Sequence, residues 1–546
     1  MGNETRHRLA AAAAFLVVAT ALSRVLGLAR EIVMVKELGL GAAMGAFTVA
    51  FKIPSLVRTL LGDTALSAAF IPVFSELLER GHRDEAWRVA RTVTLLSTVI
   101  LGLVSALGML FAPQVVHLAA PGWGSQDQAT IDLAVELTRI MFPTVVLFAV
   151  AGIFMGILNS YDHFSLPALA PILWNVVIIG AVVAIAPRFS TDSEQFRVVA
   201  WAIVIGTLIE LVIQLPAVLR RSEGRRFSFS LRDPGVRRVA ILLGPVILSL
   251  GVINFNALID TIVGSFISTS APAYIDKAYR LFQLPQGMFA IAIGTVLFPT
   301  LSRLAAGRRF EEFRESLAEG VRQVIFVTLP FTAFFIVLAF PTVRLVYEHG
   351  SLVTTADTWQ VTKALIFFSP GMVFVSATTL LTRAFYGIQK TWVPLVVGVI
   401  NLALNAVLDL VLYKPLGVGG ITLSTSLVSA FYFSALLIML SREIDGVHAR
   451  AILRSAGRSM VALIPLMLVG YSSWWAVQHA LDEGAHPSNQ SQIVAVVCGY
   501  ALGGTAYLGA AWLLRMDEPR QLLAVVRRRR NRGDAGPVLE AEERAD

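Results

Sequence analysis

The chain has 546 residues, of which 56% are hydrophobic and 15% are charged, and its mean hydropathy is +0.70. This composition excludes a soluble protein, because apolar windows of ~20 residues recur and each can cross a hydrocarbon layer of about 30 Å. The net charge of +8 does not require nucleic acid as a partner, since arginines in loops and tails orient membrane proteins and contact lipid headgroups.

Fourteen apolar windows predict an all-α polytopic membrane protein with about fourteen transmembrane helices. In chain order they cover residues 10–35, 39–62, 91–112, 132–158, 166–186, 198–219, 239–266, 273–299, 320–340, 359–387, 394–413, 418–440, 459–480 and 491–514. The first window could be taken for a signal peptide, but its apolar pattern continues through Arg24 to Val35, which favours a membrane span. The single cysteine, Cys498, excludes an intramolecular disulfide.

The basic residues predict the orientation of these spans. With a cytoplasmic N-terminus, arginines cluster in the inside segments 80–91, 220–238, 303–314 and 442–458 and in the tail at 527–530. The outside loops carry few basic residues, as the positive-inside rule requires. Both termini are therefore expected in the cytoplasm, the second as a basic tail over residues 516–546.

An internal repeat is visible as a constant spacing. The segment AFIPVFSELLERG resembles VLFPTLSRLAAGRR. An interval of 227 residues separates Pro72 from Pro299, Ser75 from Ser302, Phe47 from Tyr274 and Pro167 from Pro394, and 228 separates Pro113 from Pro341 and Gly122 from Gly350. The interval carries the second span onto the eighth, an even step, so the two halves have the same orientation.

The repeat predicts two parallel six-helix lobes followed by two additional helices. The expected divisions are residues 1–232 for helices 1–6, 233–445 for helices 7–12, 446–515 for helices 13 and 14, and 516–546 for the tail. Transporters with such lobes generally bind their substrate between them. An old duplication without mechanical meaning is the alternative.

Of the arginines that fall inside predicted spans, where a charge is costly, four stand out: Arg24, Arg30, Arg58 and Arg280. Together they indicate a polar cavity for an anion, and the planar, permanently charged guanidinium suits phosphate. The alternatives are snorkelling to the interface or pairing with an internal partner. Glu31 and Asp63 are the candidate partners of Arg30 and Arg58, and Gln283 follows Arg280 as a further gating or pairing candidate.

Acidic and amide residues also occur at membrane depth. Asn401, Asn405 and Asp409 share one helical face at intervals of four. Asp260, Asn405, Asp409 and Thr425 are a hypothetical site for a coupling cation, because hard cations prefer oxygen ligands. A carboxylate that carries a coupling proton and an interhelical hydrogen-bond cluster are the alternatives. Na⁺ or H⁺ as coupling ion is the only cofactor expected.

The sequence lacks the motifs of the common membrane enzymes and ATPases. We find no Walker A loop, no GxSxG, no HExxH and no Cys/His cluster with metal-ligand spacing. The chain is therefore expected to be a transporter and not an enzyme.

Four blocks stand out in the sequence: SRVLGLARE (Ser23–Glu31), the block Ala46–Leu78, YRLFQLPQGMFAIAIGTVLFPTLS and RAFYGIQKTWVP. They resemble the MurJ/MviN family, the lipid II flippases of the multidrug/oligosaccharidyl-lipid/polysaccharide exporter superfamily. The resemblance implies a flippase that moves undecaprenyl-pyrophosphate-linked peptidoglycan precursor to the outer leaflet of the bacterial inner membrane by alternating access. It also implies a central cationic cavity lined by the four arginines and a lipid-tail groove formed by helices 13 and 14.

The chain departs from the family pattern at two positions. Gly45 and Tyr279 stand where relatives usually have an acid. A gating salt bridge through those acids is therefore an open question for this chain. A paralogue that moves another polyprenyl-linked glycan is one alternative. A cation-coupled small-molecule exporter of the same superfamily, a membrane scaffold and a membrane enzyme are the further alternatives. The expected partners are lipid II or a related glycolipid and membrane lipids, with the protein acting as a monomer and without nucleic acid.

Overall fold

The computed structural model describes residues 3–61, 63–222, 229–230, 232–481 and 489–521. Within these ranges it describes the backbone alone for residues 3–14, 16–17, 63–64, 249, 252–253, 290–292 and 296.

The described residues form eighteen α-helices and two short 3₁₀ helices. The α-helices are α1 (Asn3–Leu38), α2 (Ala42–Leu61), α3 (Asp63–Glu79), α4 (Arg83–Leu110), α5 (Ala112–Ala119), α6 (Gln128–Met141), α7 (Thr144–Ser160), α8 (Ser165–Ala184), α9 (Asp192–Ser222), α10 (Pro234–Gly264), α11 (Ala271–Ala306), α12 (Phe310–Val337), α13 (Ala339–Tyr347), α14 (Thr355–Gly387), α15 (Trp392–Leu416), α16 (Val418–Glu443), α17 (Ala449–Leu481) and α18 (Asn489–Leu513). The 3₁₀ helices are Ser125–Asp127 and Ala186–Arg188.

The transmembrane prediction agrees with these helices. Among the described residues, 12 helical stretches are long and apolar enough to cross a membrane. The two other predicted spans, 10–35 and 239–266, fall on α1 and α10, whose side chains are described only in part. The expectation of an all-α polytopic protein with about fourteen membrane helices is confirmed.

Some predicted spans differ from the helices in detail. The window 132–158 is divided between α6 and α7, with Pro143 as the N-cap of α7. Proline has no backbone N–H to donate inside a helix and is tolerated at its start. The short helices α5 and α13 lie where no span was predicted, because eight or nine residues are too short for a hydropathy window of ~19.

The repeat of the sequence reappears in the positions of the helices. The first residues of α4 and α12, Arg83 and Phe310, are 227 apart. The starts of α5 and α13, of α6 and α14, and of α8 and α15 differ by the same 227. The interval between corresponding helix starts is therefore the same for several consecutive helices of the two copies.

Contacts divide the chain into two compact units. The first contains Met1–Asp276, Val346–Thr358 and Asn405–Ile421, and the second contains Lys277–Leu345, Trp359–Leu404 and Thr422–Asp546. The units are defined by contacts and not by the repeat, so the lobe boundaries at 232, 445 and 515 stay a prediction. In the first unit Phe70, Phe74 and Trp87 belong to one buried cluster. In the second unit, Phe313 and Phe385 belong to another buried cluster.

Helices α17 and α18 pack closely against each other in the second unit. A β-carbon on Gly499 would lie 3.0 Å from the carbonyl oxygen of Gly470, and one on Gly503 would lie 3.1 Å from the Gly470 Cα. Small residues allow this approach, as in many membrane helix pairs. Leu466 of α17 and Tyr507 of α18 join Phe334 of α12 in a common buried cluster.

A buried acid, Glu518, attaches the segment after α18 to α12 and α17. Glu518 accepts hydrogen bonds at 2.7 Å from Arg322 of α12 and at 2.7 Å from Ser455 of α17. Burial alone would raise the pKa of the Glu518 carboxyl, but the hydrogen bonds from Ser455, its own backbone N–H and Arg322, with the charge of Arg322, hold this pKa below its ordinary value. The carboxylate therefore stays ionised while it is buried.

Candidate functional site

A cavity of about 300 Å³ lies among α1, α2, α7, α8 and α9 of the first unit. We call it the first-unit cavity. Its wall combines apolar surface with two guanidiniums, one carboxylate and two amides. The lining residues are Gly27, Arg30, Arg58, Phe148, Ala151, Gly152, Met155, Pro167, Pro171, Trp174, Asn175, Glu210 and Gln214.

Arg30 is held from three sides. Its Nη1 donates to Asn175 Oδ1 at 3.1 Å and its Nη2 to Glu31 Oε1 at 2.5 Å, while its Cζ lies 4.7 Å from the ring centroid of Trp174. The Trp174 indole N–H donates to Thr207 Oγ1 at 3.2 Å, which fixes the ring. Only the fork of a guanidinium can make two directed hydrogen bonds and stack at once.

Asn175 is itself oriented by the backbone of its own helix. Pro171 lies inside α8, and its carbonyl accepts a hydrogen bond from Asn175 Nδ2 at 2.8 Å. This bond identifies Nδ2 as the donor and leaves Oδ1 to accept from Arg30. Local backbone geometry of α8 thus sets the direction of an arginine on α1.

Arg58 lines the same cavity from α2. Its Cζ lies 3.9 Å from the ring centroid of Phe148 on α7, a typical cation–π distance. The structure therefore brings together two of the four arginines singled out in the sequence. Glu31, the candidate partner of Arg30, is buried at 4% exposure and is ion-paired with it.

The other candidates lie elsewhere. Arg24, six residues before Arg30 on α1, is exposed and does not line the first-unit cavity. Arg280 and Gln283 belong to α11 in the second unit, the first half-buried and the second exposed. The side chain of Asp63 lies outside the described residues. Its pairing with Arg58 stays a prediction.

Sequence reasoning missed the polar residues that complete the first-unit cavity. Trp174, Asn175 and Gln214 were not among the candidates, although each stands in an otherwise apolar run, ILWNVVI or LVIQLPAV. A polar side chain inside a membrane span was the available signal. Another arginine in a predicted span, Arg383 of α14, was also missed, and its Nη1 donates to Thr295 Oγ1 at 3.3 Å.

Three of the four residues of the hypothetical cation site meet in the first unit. Asn405 Nδ2 donates at 3.0 Å both to Asp260 Oδ1 and to Asp409 Oδ2. Asp260 is 7% exposed, and Asn405 and Asp409 are fully buried at 0%. Two carboxylates that share one amide in a low-dielectric region repel each other, which favours a bound cation or proton between them.

Three further observations bear on this hypothetical cation site. The Oδ1 atom of Asn405 is buried and has no hydrogen-bond partner among the described residues, so one more oxygen is available beside the two carboxylates. Thr425 belongs to α16 in the second unit, where its backbone carbonyl accepts from Ser429 at 2.6 Å. Within the described residues no group of three or more His, Cys, Asp and Glu side chains could hold a metal ion.

The two departures from the family pattern are packed positions. A β-carbon on Gly45 would lie 1.9 Å from the carbonyl oxygen of Thr269, so α2 approaches the backbone of the turn before α11 directly. The Tyr279 ring stacks on Phe282 at 5.8 Å and meets Phe368 at 5.7 Å between centroids. Neither position offers a carboxylate for a salt bridge.

The helices and the partly charged cavity within them define a multi-span membrane transporter. The model of the family described as "Lipid II flippase MurJ" matches residues 34–488, and the chain belongs to this family. It is 30% identical to the lipid II flippase MurJ of Burkholderia cenocepacia over 503 residues, which cover 91% of this chain and 95% of that protein. A probable lipid II flippase MurJ of Rhizobium meliloti is 30% identical, with 97% of both chains covered.

Solved structures agree on the fold. A structure of lipid II flippase MurJ in an inward closed conformation superposes with a TM-score of 0.75 at 23% identity, covering 93% of this chain and 99% of that one. An inward-facing multidrug resistance MATE family transporter of the MOP superfamily gives 0.65 at 15% identity, covering 79% and 98%. The MurJ structure thus covers more of this chain and superposes better than this MATE transporter.

Proposed function

We propose that this protein moves lipid II, the undecaprenyl-pyrophosphate-linked peptidoglycan precursor, from the inner to the outer leaflet of the bacterial cytoplasmic membrane. The family match over residues 34–488 carries this proposal, together with curated relatives that bear the name lipid II flippase over nearly their whole length. The protein acts by alternating access, as a transporter and not as an enzyme. Both termini lie in the cytoplasm, and the monomer is the working unit.

The chemistry of the first-unit cavity supports a large polar headgroup as the cargo. Arg30 and Arg58 bring two permanent charges into a membrane-spanning part of the chain, where an isolated charge is unfavourable. A guanidinium fork donates to pyrophosphate and to sugar oxygens alike. Arg24 and Arg280 complete the proposed set of headgroup ligands, and the polyprenyl tail stays in lipid.

The coupling of transport to an ion gradient is the second part of the proposal. Asp260, Asn405 and Asp409 bind the coupling ion, Na⁺ or H⁺, with Thr425 as a further oxygen ligand. The shared Asn405 amide and the two buried carboxylates support this role, because such a pair gains stability when a cation or proton neutralises one charge.

A leaflet-resolved assay tests the proposed function. The purified full-length protein is reconstituted in liposomes with labelled lipid II, and the fraction that becomes accessible from the opposite leaflet is followed with time. We expect transport by the wild-type protein and its loss in Arg30→Ala and Arg280→Ala. Arg188→Ala, at an exposed arginine of a short 3₁₀ helix, is the matched control and keeps the wild-type rate. If the wild-type protein moves another polyprenyl-linked glycan but not lipid II, the proposed cargo is wrong.

A further inference from the structure

The charges of the first-unit cavity are closely balanced. Arg30 is ion-paired with Glu31, and Glu210 stands in the same wall as Arg58. Trp174 and Phe148 lie against the two guanidiniums. The wall therefore holds two guanidiniums, one of them already ion-paired with Glu31, and one carboxylate, so a purely anionic ligand meets a carboxylate as well as guanidiniums. Such a mixed wall suits a group that both donates and accepts hydrogen bonds.

Gln214 supplies the most specific feature of this wall. Its side chain is 1% exposed, and its Nε2 donates to the backbone carbonyl of Glu210 at 3.0 Å. Because a carbonyl only accepts, the atom that faces it must be the amide nitrogen, and the other atom must be Oε1. Oε1 is buried and has no hydrogen-bond partner among the described residues.

An unpartnered buried acceptor lowers the stability of the state that contains it. A hydrogen-bond donor that enters the cavity relieves this loss, and an acceptor does not. A pyrophosphate at neutral pH offers oxygens that accept and has few protons to donate. Sugar hydroxyls and amide N–H groups are donors, and they occur only in the glycan and peptide part of the headgroup.

We infer that Gln214 is a specificity residue that accepts a hydrogen bond from the glycan or peptide portion of the lipid-linked cargo. The inference rests on the proposed function and refines it, because it assigns the first-unit cavity to the glycan or peptide portion of the headgroup and not to its pyrophosphate. The volume of about 300 Å³ lies at the lower end for small-molecule sites and fits one sugar-sized unit.

The test compares two lipids on the full-length protein in nanodiscs: lipid II, and undecaprenyl pyrophosphate without glycan. Gln214→Met removes the acceptor at nearly constant length. We expect it to weaken the binding of lipid II by about 5- to 30-fold and to leave the binding of undecaprenyl pyrophosphate unchanged. Gln195→Met makes the same chemical change on α9 outside the cavity and should alter neither affinity.

Thermal unfolding separates this role from a structural one. Methionine removes the unpartnered acceptor but also the hydrogen bond from Nε2 to the Glu210 carbonyl, so the two effects oppose each other and the variant should be about as stable as the wild type. Gln214→Leu provides a second apolar replacement if the first does not fold. Equal loss for both lipids, or no loss for either, would overturn the inference while the proposed function stands. If the wild-type protein binds undecaprenyl pyrophosphate but not lipid II, the proposed function fails as well.

Discussion

Gly45 and Thr269 are in contact without room for a side chain between them: a β-carbon on Gly45 would stand 1.9 Å from the Thr269 carbonyl oxygen and 3.3 Å from the Ser270 Cα. A second glycine, Gly122, makes a similar approach, since a β-carbon there would stand only 2.4 Å from the backbone nitrogen of Phe266. The turn that joins α10 to α11 is thus held close to two segments of the first unit. Real side-chain carbons do not approach backbone atoms this closely, so glycine is required at both positions in this conformation.

We therefore expect Gly45→Ala to destabilise this arrangement by about 1–3 kcal/mol, the usual range for overpacking. Gly41→Ala is the matched control, since a β-carbon there meets nothing within 4 Å. Chemical unfolding in detergent micelles measures both variants. Gly45→Asp, which introduces a carboxylate at this position, should be no better tolerated than alanine. Equal stability of the two alanine variants would contradict the close contact.

Arg30→Lys should lower the rate of lipid II transport about tenfold or more, although it keeps the charge. The ammonium is a point charge and cannot donate to Asn175 and Glu31 while it also lies flat over Trp174. The liposome assay gives the rate, and protein levels in the membrane should remain normal. Arg188→Lys is the control for the substitution itself. Transport by Arg30→Lys at the wild-type rate would show that the fork geometry is unimportant.

The arginines of this cavity could be singled out from the sequence, whereas most of their partners could not. A charged residue in an apolar run is conspicuous by itself, because the membrane makes it unfavourable. Asn175 is 145 residues from Arg30, and nothing in either local sequence specifies that the two meet. Glu31 was within reach of sequence reasoning only because it is the immediate neighbour of Arg30.

Asp409→Asn should abolish the response of transport to an imposed Na⁺ or pH gradient. The change removes one of two carboxylates that share the Asn405 amide, so the remaining site holds a cation or proton less tightly. Vesicles with and without each gradient provide the measurement, and Asp132→Asn, at an exposed acid of α6, is the control. A variant that is less stable but keeps its gradient response would favour a hydrogen-bond cluster that only joins helices.

Glu518→Gln should reduce the free energy of unfolding by about 1.5–3 kcal/mol at neutral pH, the range for hydrogen bonds to a charged group. Because the folded-state pKa of Glu518 is lowered, its contribution is complete above the unfolded-state pKa and disappears as pH falls through the folded-state pKa. The difference between variant and wild type should therefore shrink below the ordinary carboxyl value of 4.5.

A pH series of unfolding curves measures this effect. Asp517→Asn is the control, since this neighbouring carboxylate is 68% exposed and 3.7 Å from Arg322, and surface pairs contribute about 0–1 kcal/mol. A difference between Glu518→Gln and wild type that stays constant down to acidic pH would mean that the charge of Glu518 does not matter.

The membrane helices were predictable to a greater extent than the site. Inside a bilayer the backbone must satisfy its hydrogen bonds within each segment, so a long apolar run has almost no alternative to a helix. The position of Pro143 was the visible sign that the window 132–158 divides into two helices. The close approach of Gly45 to Thr269 had no such sign, because a glycine in a sequence does not reveal what lies beside it.

The constant interval between the copies has a structural consequence. From Arg83 to Ser165 and from Phe310 to Trp392, the starts of corresponding helices at both ends of the stretch lie the same distance apart. The two halves therefore differ by no net residue over this stretch. One inserted residue would turn everything beyond it in a helix by about 100° and exchange lipid-facing for buried side chains. The two halves thus differ by substitution and by the one-residue shift at Pro113/Pro341 and Gly122/Gly350, which is compensated before the next pair of helices begins.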